Sequence, residues 1–232
     1  HAIVDELAES SDYAARRGAL DKWNTESPVL KRGLALCPVK FGISFTTTFL
    51  NQAGALVHIY QDGSVMLNHG GTEMGQGLFV KVAQVAASEL GIDLDRIRIT
   101  STRTDKVPNT SATAASSGSD MNGMAVGDAC RKLKNALALF AADRFKVPTD
   151  AIRFAGNAVQ IGQDSLPFET LVKMAYLARV PLSATGFYAT PKIHWDRENA
   201  KGRPFYYFAY GACVAEAVID TLTGENRIAR VD

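Results

Sequence analysis

Hydrophobic residues recur along this chain in two rhythms, the alternation typical of strands and the three-to-four-residue spacing typical of helices. Residues 55–60 and 65–68 are apolar runs, and the Asp62-Gly63 pair between them predicts a β-hairpin. Residues 76–90 have helical spacing, and Gly91 suits a left-handed C-terminal cap. We expect one side of that helix to carry its apolar side chains, namely Leu78, Val82, Val85, Ala86 and Leu90.

The remaining elements follow from the same patterns and from the positions of helix-breaking residues. Residues 3–22 are rich in Ala, Leu, Glu and Arg and contain no Pro, so they predict one helix. A long helix should run from a cap at Ser119 or Asp120 to about Phe145, and another should span residues 167–179. We expect a polar loop at 194–204, and strands at 31–39, 42–50, 96–101, 152–161 (one or two), 180–190, 205–220 and after the turn at 223–225.

Strands and helices are mixed along the chain without the regular alternation of a doubly wound sheet. A layer of strands with one apolar face needs a covering layer of helices. We therefore expect an α+β fold with two layers, a mixed β-sheet and helices packed on one face of it.

Composition and charge narrow the classes of function. The 232 residues are 47% hydrophobic and 21% charged, with a net charge of +1, so no nucleic-acid partner is expected. No apolar run reaches the length of a membrane span, and we expect no membrane association and a cytoplasmic location. Cys37, Cys130 and Cys213 lie far apart, which favours reduced, buried thiols over an iron–sulfur or zinc site in this chain.

Two small-residue loops precede predicted helices. Residues 69–78 contain four glycines, which allow close approach of the backbone to a ligand and direct N–H groups of the helix start toward it. The loop is not a Walker loop, because no Gly-Lys-Ser/Thr closes it. It is not a dinucleotide fingerprint either, because Val80 stands where the third glycine would be. Residues 107–120 form the second loop. From the residues alone, ligand contact and ordinary turns remain open for both loops.

Five motifs occur in a specific order: Phe41-Gly42-Ile43-Ser44-Phe45-Thr46, Phe49-Leu50-Asn51-Gln52-Ala53-Gly54-Ala55, the loop from Gly70 to Leu78, Val107-Pro108-Asn109-Thr110-Ser111, and Thr113-Ala114-Ala115-Ser116. Tyr210-Gly211-Ala212-Cys213-Val214-Ala215-Glu216 is a further match. Together they resemble the molybdenum-cofactor subunit of xanthine dehydrogenases, from about Tyr13 to the last residue. No single motif is decisive, but five in register are specific.

The resemblance implies a pyranopterin cofactor whose dithiolene sulfurs, and not protein side chains, hold the molybdenum. Gln76 would hydrogen-bond the cofactor through its side chain, and Gly75 would contact it through the backbone. The small side chain at Ala115 would let the metal lie near its backbone. The cofactor-binding residues implied by the resemblance are Met74, Gly75, Gln76, Thr113, Ala114, Ala115 and Ser116.

The resemblance also implies a substrate wall at Phe45 and Thr46, where the ring would contact a purine and the hydroxyl would hydrogen-bond it. Read in isolation, Phe45 is a core residue of a strand. The family's general base is a glutamate in a Gly-Glu-Pro-Pro segment that is missing here, so we expect no catalytic residue in this chain. Glu73 is expected to accept backbone N–H groups of its own loop, and His69 to be structural.

The function implied is that of a middle segment of the catalytic subunit, inactive alone, of an enzyme that hydroxylates hypoxanthine and xanthine to urate with oxygen from water. Its partners would be the purine, the rest of the subunit, and the segments or subunits that carry iron–sulfur clusters and FAD. An aldehyde-oxidising relative, or an assembly module that binds no cofactor, are the alternatives. The expected division is an N-terminal helical segment (1–28), the first part of a cofactor-binding domain (29–204) and the start of a second subdomain (205–232).

Overall fold

A computed structural model describes residues 2–107 and 109–232. His1 and Pro108, the latter part of a motif quoted above, lie outside the described residues. The chain divides into two compact units, one made of the residues up to Gly42 together with Tyr207–Asp232, the other of Ile43–Tyr206. The three-part division expected from the sequence stays a prediction.

The first unit contains two helices and most of a three-stranded sheet. Its elements are α1 (Ala2–Ser10), α2 (Tyr13–Glu26), β1 (Leu30–Ile43), β11 (Tyr207–Asp220) and β12 (Asn226–Val231), and the strand order is β1-β11-β12. Leu20, Leu34 and Val214 form its small buried cluster. Arg16 joins α2 to this sheet through ion pairs with Glu216 at 2.9 Å and Asp232 at 2.7 Å.

The second unit is built on a mixed four-stranded sheet, whose strands in spatial order are β4 (Ile97–Ile99), β3 (Val65–His69), β2 (Gln52–Ile59) and β8 (Ser183–Ala189). The β3–β4 pair is parallel and the other two pairs are antiparallel. On β2 and β3 every second residue, including Val57, Val65 and Leu67, faces the core. Its strands and helices are β2 (Gln52–Ile59), β3 (Val65–His69), α3 (Leu78–Leu90), β4 (Ile97–Ile99), α4 (Gly118–Phe145), β5 (Ile152–Ala155), β6 (Ala158–Ile161), β7 (Asp164–Pro167), α5 (Phe168–Leu177), β8 (Ser183–Ala189), β9 (His194–Asp196) and β10 (Lys201–Arg203).

Helix α4 packs across β2 and β8, with α3 beside it. Gly186 on β8 allows this close approach, because a Cβ there would lie 1.9 Å from Ala125 O and 2.7 Å from Ala129 N of α4. Helix α5 packs beside the small antiparallel sheet β5-β6-β7, and its Leu171 and Val172 belong to the same core. The α+β fold class predicted from the sequence is confirmed.

Most predicted elements are present, but three local predictions are wrong. The helix expected over 3–22 is two helices, because Asp12 adopts a left-handed conformation (φ 52°) between them. The strand expected over 42–50 ends at Ile43 and is followed by an irregular turn and a 3₁₀ turn at Thr48–Leu50. The loop expected at 194–204 contains the β9–β10 hairpin, in which Asp196 accepts backbone N–H groups of the turn.

Smaller differences concern exposure and helix ends. Helix α4 begins at Gly118, so Ser117, rather than Ser119 or Asp120, occupies the cap position. Of the three free thiols, Cys130 is buried as expected, and burial raises its pKa to about 12. Cys37 is exposed, because it lies on the face of β1 opposite to the buried Leu34. No helix within 2–107 and 109–232 has the length and apolar character needed to cross a membrane.

Candidate functional site

The two small-residue loops predicted from the sequence lie against each other. Thr72 N donates to Thr113 Oγ1 at 2.8 Å, which joins the glycine loop directly to the second loop. Thr102 Oγ1 donates to Gly71 O at 2.6 Å from the segment between them. Gly70 packs so closely on Thr110 that a Cβ at Gly70 would lie 1.8 Å from Thr110 Oγ1. Hydrogen bonds and steric contact thus join the two loops.

Glu73 holds the glycine loop from within. Its Oε1 accepts the N–H groups of Gly75 at 2.9 Å and Gly77 at 3.0 Å, and its Oε2 accepts that of Phe79 at 3.0 Å. The hydrogen bond from Phe79, and then those from the two glycines, keep the pKa of Glu73 below its usual value. The role expected for Glu73 is confirmed. The expectation that these N–H groups are open to a ligand is wrong for these three, because a carboxylate of the same loop already binds them.

Gln76 also bridges its own loop. Its Oε1 accepts from Met74 N at 2.6 Å, and its Nε2 donates to Thr72 O at 2.8 Å. A primary amide has two N–H groups and two lone pairs, so Gln76 keeps one donor and one lone pair for another partner. Gly75 (φ 99°) has the positive φ that glycine adopts readily, and a Cβ there would meet no atom within 4 Å. Met74 is 67% exposed.

The second loop carries backbone strain at Ala115 and Ser116, two of the cofactor-binding residues implied by the resemblance. Ala115 and Ser116 both have φ of 54°, a conformation that costs a residue with a side chain about 1–3 kcal/mol. Such strain persists only where surrounding contacts impose it and is most common at functional sites. Ser117 ends the loop, and its N and Oγ both bond to Ala114 O, at 3.3 and 3.2 Å.

A cavity of about 450 Å³ opens between the two loops. The N-terminus of α4 lies at its edge without a side-chain cap from Ser117, and Lys81 adds a positive charge. Both features favour a negatively charged group. Lys81 was not among the residues predicted from the sequence, although it lies one helical turn after Gly77 and therefore on the loop side of α3. The lining residues are Met74, Gln76, Leu78, Lys81, Thr113, Ala114, Ala115, Ser116, Gly118 and Ser119.

A wider groove of about 740 Å³ lies elsewhere in the second unit, along the β2–β3 hairpin and the residues after α5. His58, Tyr60 and Tyr176 are among its lining residues, and none of the predicted site residues is. Size alone therefore does not identify the site. Within the described ranges, no group of three or more His, Cys, Asp or Glu side chains is arranged to hold a metal ion.

His69 supports the glycine loop from the core side. Its Nδ1 accepts from Gly71 N at 3.1 Å, its ring meets Phe79 edge-on at 5.1 Å, and only 3% of the residue is exposed. Burial lowers the pKa of His69 to about 4, although nearby Asn122 and Glu73 act in the opposite direction. His69 Nε2 has no partner within hydrogen-bonding geometry. A neutral, buried imidazole agrees with the structural role expected for it.

Phe45 and Thr46 lie in the turn that follows β1. Phe45 is half-buried and packs against the core of the second unit, while Thr46 is exposed. Neither residue lines the cavity between the two loops, so the structure does not bring the predicted substrate residues into that cavity. Gln52, which follows this turn along the chain, connects it to the second loop, because Gln52 Oε1 accepts from Asn109 Nδ2 of that loop at 3.0 Å.

Comparisons with known proteins agree with this geometry. Xanthine dehydrogenase from Oryza sativa subsp. japonica is 47% identical over all of this chain, and xanthine dehydrogenase/oxidase from Rattus norvegicus is 47% identical over 98% of it. The chain spans 16% of the length of each of these curated relatives. Among solved structures, quinoline 2-oxidoreductase from Pseudomonas putida 86 has the same fold, with a TM-score of 0.81 at 20% identity over 99% of this chain and 30% of that one. The family model of the molybdopterin cofactor-binding domain matches residues 6–232, and the chain belongs to that family.

Proposed function

We propose that this chain is a segment of the catalytic part of a xanthine dehydrogenase, a cytoplasmic enzyme that hydroxylates hypoxanthine and xanthine to urate with oxygen from water. The observation that carries the proposal is the cavity between the glycine loop and the Thr113–Ser116 loop. Membership of the cofactor-binding family and the identity to xanthine dehydrogenases support it. The segment is inactive alone, and the rest of the polypeptide and the segments or subunits with iron–sulfur clusters and FAD are its partners.

The residues of the cavity fit a large polar cofactor. A Cβ at Gly75 or Gly77 would meet no atom within 4 Å, so both glycines leave open space beside their Cα atoms for a ligand, while Glu73 binds their N–H groups. Lys81 and the N-terminus of α4 suit the anionic part of a pyranopterin cofactor. The bound cofactor supplies the oxidising centre of the reaction. The residues that would hold it are Met74, Gly75, Gln76, Thr113, Ala114, Ala115 and Ser116.

Each side chain has a distinct task in this proposal. Gln76 donates its remaining N–H to the cofactor while its other groups keep Met74 and Thr72 in place. Thr113 accepts from Thr72 N, so its hydroxyl hydrogen is available for the cofactor. The methyl group of Ala115 takes little space and would let the metal centre of the cofactor approach the backbone at this wall of the cavity. Phe45 contacts the flat face of the purine, and Thr46 hydrogen-bonds it.

The test uses the full-length enzyme, with molybdenum and pterin measured per polypeptide and turnover measured with xanthine and with a small aldehyde. We expect about one molybdenum per chain and a preference for xanthine. A preference for the aldehyde would indicate an aldehyde oxidase-like enzyme. Wild-type molybdenum and pterin content in a Gln76→Ala, Ser116→Ala double variant would contradict the assignment of the loops, and an enzyme with no cofactor at all would support an assembly module.

A further inference from the structure

Asn51 organises the turn that contains Phe45 and Thr46. It lies between the 3₁₀ turn Thr48–Leu50 and β2, and only 2% of it is exposed. Its Oδ1 accepts from Phe45 N at 2.7 Å, and its Nδ2 donates to Phe45 O at 2.9 Å. The same Nδ2 is 3.2 Å from Thr48 O and 3.4 Å from Thr47 O. One buried amide therefore binds backbone groups of three residues in a single turn.

These bonds replace strand pairing at Phe45. The preceding residue, Ser44, has φ of 134° and is buried, so the chain turns sharply as β1 ends. Both polar backbone groups of Phe45 then find their partner in the side chain of Asn51. Asn side chains commonly offer the backbone such an alternative to regular structure. Because both polar backbone groups of Phe45 are held, the direction of its Cα–Cβ bond, from which the ring projects, is fixed as well.

The neighbouring amide extends this support to the second loop. Gln52 Nε2 donates to Phe49 O at 2.8 Å, and Gln52 Oε1 accepts from Asn109 Nδ2 at 3.0 Å. The turn that Asn51 organises is thereby tied to the loop that carries Thr113–Ser116. A displacement of the turn would change the position of Phe45 relative to that loop.

We propose that Asn51 is a positioning residue, which sets Phe45 and Thr46 in the orientation that receives a flat heterocyclic substrate. This inference rests on the proposed function of those two residues. Asn51 acts through Phe45 and does not itself touch substrate. Its loss should therefore affect substrates with a ring more than substrates without one, and should leave cofactor binding intact.

The experiment compares Asn51→Asp with Asn157→Asp in the full-length enzyme. In Asn51→Asp a second oxygen replaces Nδ2 and faces the carbonyl groups of Phe45, Thr47 and Thr48, which disturbs the turn. Asn157 is a matched control, because its Nδ2 donates to Asp93 Oδ2 at 2.6 Å in the β5–β6 turn, away from Phe45. We expect Asn51→Asp to lower kcat/KM for xanthine, relative to a small aliphatic aldehyde, by about 10- to 100-fold. Molybdenum per chain should stay at the wild-type level, and Asn157→Asp should leave the substrate ratio unchanged.

An unchanged ratio of the two kcat/KM values in Asn51→Asp would overturn the proposal, whether both values stay at the wild-type level or both fall equally. Phe45→Ala, measured in parallel, separates this failure from failure of the proposed function. If Phe45→Ala lowers the ratio and Asn51→Asp does not, only the role of Asn51 is wrong. If neither variant lowers it, the substrate role of Phe45 is wrong as well.

Hydrogen exchange of the wild-type enzyme keeps the proposal testable if Asn51→Asp does not fold. The Phe45 amide should exchange slowly, because Asn51 Oδ1 binds it in a buried turn. Exchange of that amide at the rate of an unstructured loop would show that Asn51 does not hold Phe45 in the assembled enzyme.

Discussion

Gly70→Ala should separate the two loops of the candidate site. The added Cβ would lie 1.8 Å from Thr110 Oγ1, 2.2 Å from its Cγ2 and 2.5 Å from its Cβ, whereas ordinary contact begins at 3.4 Å. Thr110 is too short to move away by rotation, since its own Cβ is among the clashing atoms. The backbones must therefore move apart by up to about 1.6 Å, and such overpacking typically costs about 1–3 kcal/mol.

The assay is a double-mutant cycle in urea with Gly70→Ala, Thr110→Ala and the combined variant of this chain. Thr110→Ala removes two of the clashing atoms, so the combined variant should be more stable than the sum of the single effects by about 1 kcal/mol or more. Gly123→Ala is the control, since a Cβ there meets only Val85 Cγ2 at an ordinary 3.5 Å, and a helical Gly-to-Ala change stabilises by up to about 1 kcal/mol.

In the full-length enzyme, Gly70→Ala should also lower molybdenum content, and Thr110→Ala should restore part of it. Effects of the two single changes on the free energy of unfolding that add within about 0.5 kcal/mol would show that Gly70 and Thr110 are not in tight contact. A Gly70→Ala variant as stable as Gly123→Ala would show the same.

Three further predictions concern single side chains. Gln76→Ala in the full-length enzyme should reduce the molybdenum and pterin content. The loss of stability should be only about 1 kcal/mol, because the hydrogen bonds of the Gln76 side chain are exposed. Normal cofactor content together with normal turnover would reject a role of Gln76 in cofactor binding. Phe45→Ala should lower kcat/KM for xanthine by about 10- to 100-fold, and it should cost less stability than the roughly 3–5 kcal/mol typical of a fully buried ring. Xanthine kinetics and thermal melting on one preparation test both expectations. Normal turnover by the folded fraction would show that Phe45 is purely structural. Burial lowers the pKa of His69 from 6.5 to about 4, so the unfolded chain takes up a proton first as the pH falls, and about 3 kcal/mol of stability should be lost between pH 6.5 and 4. The free energy of unfolding, measured by urea titration at several pH values, should fall by this amount in the wild type but not in His69→Gln. The same pH dependence in both proteins would contradict the prediction.

The parts of the fold that local patterns specify could be predicted from the sequence. The β2–β3 hairpin follows from Asp62-Gly63, and the end of α3 follows from Gly91, whose φ is 68°. The irregular turn at Phe45 could not be predicted, because the apolar and β-branched residues of 42–50 favour a strand. A side chain six residues later, that of Asn51, overrides this preference by binding the backbone of Phe45.

The candidate site shows the same limit. The residues located the two loops, because glycine, serine and threonine collect before helix starts, and the resemblance to a family assigned them to a cofactor. The role of Glu73 was also predicted, and its three hydrogen bonds to backbone N–H groups of the same loop confirm it. The sequence did not identify the contact of Thr110 with Gly70 or of Thr102 with Gly71, because these contacts depend on how a long irregular segment returns across the loop. Helical spacing puts Lys81 on the same side of α3 as Gly77. The sequence does not show toward which side the glycine loop faces, so it could not place Lys81 at the cavity.

The internal hydrogen bonds of the glycine loop bear on the affinity for a cofactor. Restricting the backbone of one residue to a single conformation costs about 1–2 kcal/mol of conformational entropy, and each 1.4 kcal/mol is a tenfold change in affinity. If the cofactor had to order residues 70–77 itself, much of its binding energy would be consumed in doing so. Since Glu73 and Gln76 already fix these residues, that entropy is lost when the polypeptide folds. Such a loop permits the protein to fold first and to receive its cofactor afterwards.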